Sequence, residues 1–284
     1  MRPLSLLLLA ACARGTSFTP DAAPGTDGGR EAGDDKDAAQ EDSSPVSIAS
    51  ALLVTEVMLA PTTGEFIEIA NPTALSVALE HYYLSDSGNY FRVPNTATVD
   101  QTDFIVKFPA GATIGARSVI TVALDTAANF QAVHAMPPTY SIAGGTMTPV
   151  ATNGTAQLTN NGELVVLFYW DGADRVADSD LVLAGAPTAG NGLNDKSGIV
   201  MDGPDADTMG TAYATDARTI TGQGGAPSSG VSTKRTQPEL GNEVQVGAGN
   251  GVEGDDETSE NTAVTWDATY TTATPGVVPA SVLP

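Results

Sequence analysis

The chain has 284 residues, with 34 acidic side chains against 12 basic ones and a formal charge of −22 at pH 7. That balance excludes a general nucleic-acid-binding surface, which needs clustered Lys and Arg to displace counterions, and the single cysteine excludes an internal disulfide or a Cys-rich metal site. Gly and Pro number 30 and 18 while aromatics make up 6%, a composition that fits short strands joined by turns, in a chain long enough to bury a core.

The first predicted element is an address signal. Arg2 precedes an apolar run from Leu4 to Ala11, far short of the ~20 residues a membrane-spanning helix needs. Leu9-Ala10-Ala11-Cys12 resembles the lipobox of bacterial lipoproteins. The resemblance implies that residues 1–11 are removed and that Cys12 becomes a lipidated first residue. The lipid bilayer is then a partner through acylated Cys12, since two or three acyl chains hold a protein without a polybasic patch. Ala13 after the cysteine, read by enterobacterial sorting, carries no inner-membrane retention signal, so the outer membrane is the expected destination. The expected location is therefore the cell envelope.

Residues 12–50 follow as an acidic linker. Between Asp21 and Asp42 there are eight acidic residues and two basic ones, Arg30 and Lys36. Such a segment buries too little apolar surface to offset its ordering entropy, so a disordered stalk is expected. As a coil it spans ~35 Å r.m.s..

The body is expected over residues 51–284, and its strands are short runs bounded by Pro, Gly or Asn. Residues 51–60, 65–71 and 103–108 are the first three. Phe104, Val106 and Phe108 share one face, with Lys107 on the other; Ile120, Val122 and Leu124 alternate likewise with Val119, Thr121 and Ala123. Residues 126–135 admit one short helix. The clearest hairpin joins 163–170 to 173–178 through Asp171-Gly172, a pair suited to a two-residue type I′ turn with positive φ at both positions. Leu164, Val166, Phe168 and Trp170 line one face of its first strand; Val165, Leu167 and Tyr169 line the other. That strand should be central and covered on both sides. Residues 125–160 and 181–228 read as long loops, 252–260 as an acidic excursion, and 262–266 as a last strand. No internal repeat is visible.

In this order the pieces resemble the lamin tail domain, an immunoglobulin-like β-sandwich shared by nuclear lamins and many secreted bacterial proteins. Leu53-Val54-Thr55-Glu56-Val57-Met58 with Phe66-Ile67-Glu68-Ile69-Ala70-Asn71 is similar to the family's opening strand pair. Tyr83-Leu84-Ser85-Asp86 and Phe108-Pro109-Ala110-Gly111 resemble its next segment, and Leu158 through Asp178 its hairpin. Ser232-Thr233-Lys234-Arg235 and Thr274-Pro275-Gly276 resemble its late elements, with Lys234-Arg235 where a single Arg is usual. The resemblance implies an all-β sandwich over about 51–279 with long loop insertions.

The sequence holds no G-x-S-x-G elbow, H-E-x-x-H motif, P-loop or dinucleotide fingerprint, so it is not expected to be an enzyme. The Gly-rich stretch 222–225 lacks a following helix. His81 and His134 have no regular metal-ligand spacing, and Glu65 and Glu68 read as structural hydrogen-bonding groups. One constellation remains. Asp171, Asp174, Asp178 and Asp180 crowd the hairpin, and Asp202, Asp205 and Asp207 crowd a second segment. Calcium takes such oxygen ligands, although neither run has EF-hand order. No other cofactor is expected. The function expected is a non-catalytic, surface-tethered interaction or structural module of the envelope with a protein or envelope partner still to be identified. The alternatives are an accessory domain acting in trans with a secreted hydrolase or nuclease, or a weak calcium-binding envelope module.

Overall fold

Apolar residues at every second position give a strand one buried face, and two such sheets can seal those faces against each other. The structure, a computed structural model, describes residues 52–215, 227–238, 249–254 and 261–283. The leader, Cys12, the linker, the stretch 222–225 and residues 255–260 of the acidic excursion lie outside the described residues.

In chain order come β1 (Leu53–Met58), β2 (Phe66–Asn71), β3 (Val77–Ala78), β4 (Tyr82–Ser85), β5 (Phe104–Lys107), β6 (Thr113–Ile114) and β7 (Ser118–Ala123). Helix α1 (Ala127–His134) follows, then β8 (Tyr140–Ser141), β9 (Thr148–Thr152), β10 (Gly162–Tyr169) and β11 (Ala177–Gly185). The short strands β12 (Val200–Met201) and β13 (Thr211–Ala212), then β14 (Val231–Lys234), the single-turn helix α2 (Thr262–Thr265) and β15 (Thr271–Thr272) complete the series. One sheet has the order β15-β14-β1-β2-β7-β8 and the other β11-β10-β4-β5-β9.

Val54, Val57, Ile67, Ile69 and Val122 of the first sheet meet Leu84, Phe104, Val106, Val165, Leu167 and Val182 of the second in one buried cluster. Each such side chain contributes ~1.5–3 kcal/mol when fully buried. The outer face of the second sheet, Tyr83, Ile105, Leu164, Val166 and Phe168, is covered by Tyr90, Phe91 and Tyr213 from the connections and by Met201 of β12. The outer face of the first sheet packs Met58 and Phe66 against Phe130 of α1. β10 therefore lies inside its sheet and is covered on both sides, as its double apolar pattern requires. A bulge in β1 between Val54 and Glu56 turns both Val54 and Val57 inward, three positions apart.

Helix α1 occupies the expected short window. Thr126 caps it, its Oγ1 accepting from the Asn129 N–H at 3.3 Å, and Ala135 closes it with φ 59°.

Four expectations are corrected. Asp171-Gly172 does not form a two-residue turn: Tyr169 pairs with Ala177, so residues 170–176 make the connection. Gly172 has φ +104°, but Asp171 is not among the described non-glycine residues with positive φ. Its carboxylate instead accepts from the Ala173 N–H at 3.2 Å, and the Trp170 indole N–H bonds the Ala173 carbonyl at 2.7 Å. These local bonds build a wider loop. Residues 181–185 belong to β11 rather than to a loop, because Leu181 to Gly185 continue the pairing with Val166 to Gly162. The interval 125–160 likewise holds β8 and β9 besides the helix. Residues 262–266 turn helically rather than extending. The Trp266 N–H bonds the Thr262 carbonyl, while the Thr265 carbonyl accepts from the N–H groups of Thr236 and Gln237.

Candidate functional site

The seven aspartates of the two acidic runs have three different fates. Asp174, in the β10–β11 loop, accepts from the Gly203 N–H at 3.0 Å through Oδ1 and from the Thr211 hydroxyl at 2.5 Å through Oδ2. These contacts draw the β12–β13 ribbon onto the loop. One carboxylate oxygen each of Asp174, Asp202 and Asp205 then lies within 4.8 Å of the others. The Thr211 hydroxyl and then the Gly203 N–H hold the Asp174 carboxyl below the usual range. Asp202 Oδ1 is shielded from solvent and has no hydrogen-bond partner among the described residues. A depression of about 510 Å³ beside the group is lined by Asp174, Arg175, Asp205, Thr211 and Asn250. Three carboxylates at this spacing supply the hard oxygen ligands that calcium takes.

Asp171 and Asp207 are turn residues, Asp207 accepting from the Met209 N–H at 2.7 Å. Asp178 and Asp180 are buried in ion pairs. Arg235 Nη2 bonds Asp180 Oδ1 at 2.9 Å and Oδ2 at 2.8 Å, with both side chains fully buried. Asp180 also accepts from the Val54 N–H at 2.5 Å. Because Arg235 directly follows β14, the pair locks one sheet to the other. Lys196 Nζ lies 2.5 Å from Asp178 Oδ2, again fully buried, and the Tyr90 hydroxyl contacts both. So the structure joins one aspartate of the first run to two of the second.

The glutamates of the opening strand pair hold the end of the chain. Glu56 and Glu68 are cross-strand neighbours. Glu56 accepts from the Ser232 hydroxyl at 2.5 Å and the Thr274 N–H at 2.8 Å. Glu68 accepts from the Thr55 hydroxyl at 2.9 Å and the Gly276 N–H at 2.5 Å. Burial pushes the Glu68 carboxyl up to about 7 against the lowering effect of those bonds. Glu65, on the other side of β2, accepts from the Leu158 N–H at 3.1 Å and is pushed up to about 8, again by burial.

Neither histidine touches a nucleophile in the described contacts. His134 Nε2 bonds the Gly64 carbonyl at 2.9 Å and its ring lies 5.2 Å from that of Phe66; His81 lies 3.8 Å from Glu80 at the surface. Lys196, Tyr90 and Thr211 were not singled out by the sequence. Lys196 carried one usable signal: it is the lone basic residue between Arg175 and Arg218 in an acidic stretch.

The family model described as Lamin Tail Domain matches residues 45–180. The match ends at Asp180, so Lys196 and Arg235, which pair with the end of the matched segment, lie beyond it. Among solved structures, the chain is similar to the crystal structure of a DUF4876 family protein from Bacteroides thetaiotaomicron VPI-5482. The identity is 13% and the TM-score 0.37, over 81% of this chain and 72% of that one. No curated protein matches.

Proposed function

We propose, for a chain whose residues 45–180 are a lamin tail domain, that it is a non-catalytic interaction or structural module held at the bacterial cell envelope by acylated Cys12. The observation supporting the first half is how the reactive side chains are engaged. Glu56 and Glu68 hold the backbone of Thr274 and Gly276, and Asp180 holds Arg235 and Val54, so these side chains are taken up by contacts within the fold. The second half rests on Leu9-Ala10-Ala11-Cys12.

Cys12→Ser tests the anchor. Membrane fractionation should move the variant into the soluble fraction or leave it unprocessed, and the wild type should carry acyl mass at residue 12. Wild-type protein without that mass, together with a variant that stays membrane-bound, would overturn the anchor. Co-purification from solubilised membranes separates a structural partner from a secreted hydrolase or nuclease assisted in trans.

A second reading, weak calcium binding, is favoured by one observation: the carboxylates of Asp174, Asp202 and Asp205 are brought together from two loops.

A further inference from the structure

The two buried ion pairs of β11 differ in completeness. Asp180 has both oxygens filled, by the Arg235 guanidinium and the Val54 N–H. Asp178 has not. Its Oδ2 takes Lys196 Nζ at 2.5 Å and the Tyr90 hydroxyl at 2.8 Å, while Oδ1 is buried with no hydrogen-bond partner among the described residues. The side chains of Lys196 and Asp178 are 0% and 1% exposed. A carboxylate buried with one oxygen unpaired is costly, because that oxygen loses water and gains nothing. An amide carbonyl at the same place bears no formal charge and costs less. Arg cannot act as an amine nucleophile here, but Lys can.

We propose that Lys196 and Asp178 condense into an intramolecular isopeptide bond. The ammonium gives one proton to Asp178 Oδ2 across the 2.5 Å contact, leaving a neutral amine and a carboxylic acid. The Nζ lone pair attacks Cγ to form the C–N bond. The second proton leaves Nζ through the Tyr90 hydroxyl, which lies 2.8 Å from both Nζ and Oδ2, and reaches the departing oxygen. The C–O bond breaks and one water leaves. Charges cancel, and no oxidant or activating group is needed. Amide formation is unfavourable between free partners in water, but a fixed pair reaches effective concentrations of about 10⁵–10⁸ M. The site also excludes the water that would reverse the step: the Tyr90 ring lies 5.4 Å from Nζ and 5.3 Å from the ring of Phe168. The bond would pin the long β11–β12 connection, which covers the outer face of the second sheet.

Trypsin digestion of the denatured full chain tests this directly. Asp178 and Lys196 fall between the cleavage sites at Arg175 and Arg218. With the bond formed, Lys196 resists cleavage and residues 176–218 emerge as one looped peptide, lighter than its sequence by one water. Asp178→Ala restores cleavage at Lys196 and the full mass. Wild-type protein that yields residues 176–196 and 197–218 as separate peptides at full mass holds an ion pair only, and the proposal falls. That wild-type measurement decides the matter even if the variant fails to fold.

Discussion

Asp178 and Asp180 stand two positions apart on one strand yet face opposite sides of its sheet. Regular alternation would put them on the same face. Asp180 lies opposite Leu167 and Asp178 opposite Phe168, so Ser179 is an extra residue in the ladder. This bulge shifts the phase. Asp180 therefore reaches Arg235 between the sheets, and Asp178 reaches Lys196 and Tyr90 under the outer loops. Ser179 itself holds the chain entering β1, accepting from the Leu52 N–H and donating to the Leu52 carbonyl, both at 3.0 Å.

The inter-sheet lock should be expensive to break from one side. Asp180→Ala leaves Arg235 buried without its carboxylate and the Val54 N–H without its acceptor. A destabilisation of about 3–5 kcal/mol is expected by urea unfolding. A loss below ~1 kcal/mol would show that the lock contributes little.

The raised carboxyls fix the sign of the pH dependence. Burial lifts Glu65 from 4.5 to about 8, with Asp125 and Glu163 adding repulsion. It lifts Glu163 and Glu68 to about 7, the latter beside Glu56 and Lys234. Folded values above unfolded ones mean that the protonated forms favour the fold. Their stabilisation is complete below the unfolded value of 4.5 and is lost as pH rises through 7 to 8. Thermal midpoints should therefore fall from pH 5 to pH 8, and Glu65→Gln should flatten the slope. A midpoint that rises over this window would contradict the assignment.

Two glycines should respond differently to alanine. At Gly172 (φ +104°) an added Cβ meets nothing within 4 Å, so Gly172→Ala carries only the cost of positive φ, ~1 kcal/mol. At Gly162 the same atom would sit 2.4 Å from the backbone of Ala186, so the β10 start must shift. Unfolding curves should rank Gly162→Ala well below Gly172→Ala in stability; equal losses would refute the close packing at 162.

The calcium reading predicts a selective effect. Diffuse attraction to a chain of charge −22 is reproduced by sodium at matched ionic strength. A formed site stabilises the fold by mass action, about 2.7 kcal/mol when free calcium is 100 times the dissociation constant. Melts in calcium, magnesium and sodium should show a calcium-specific rise that Asp174→Asn removes. If sodium matches calcium, Asp174, Asp202 and Asp205 form no calcium-selective site.

The identity and faces of β1, β2, β5, β7 and β10 were legible in the sequence because they rest on neighbours two positions apart. Phe104, Val106 and Phe108 face the inter-sheet core as their alternation dictates, and the two apolar faces of β10 required cover on both sides. The window 126–135 admitted one short helix, and α1 fills it between the cap at Thr126 and the closing residue Ala135. The fate of a carboxylate is not local in this way. Asp178 finds Lys196 18 positions away and Asp180 finds Arg235 55 away, and a single extra residue, Ser179, decides which face each can reach. The same holds for 262–266, whose composition allows a strand but whose carbonyl at Thr265 is taken by the backbone of Thr236 and Gln237. Periodicity records which side of an element is buried. Only the assembled sheets determine which distant group meets each buried charge, because that pairing depends on register, bulges and loop reach rather than on spacing along the chain.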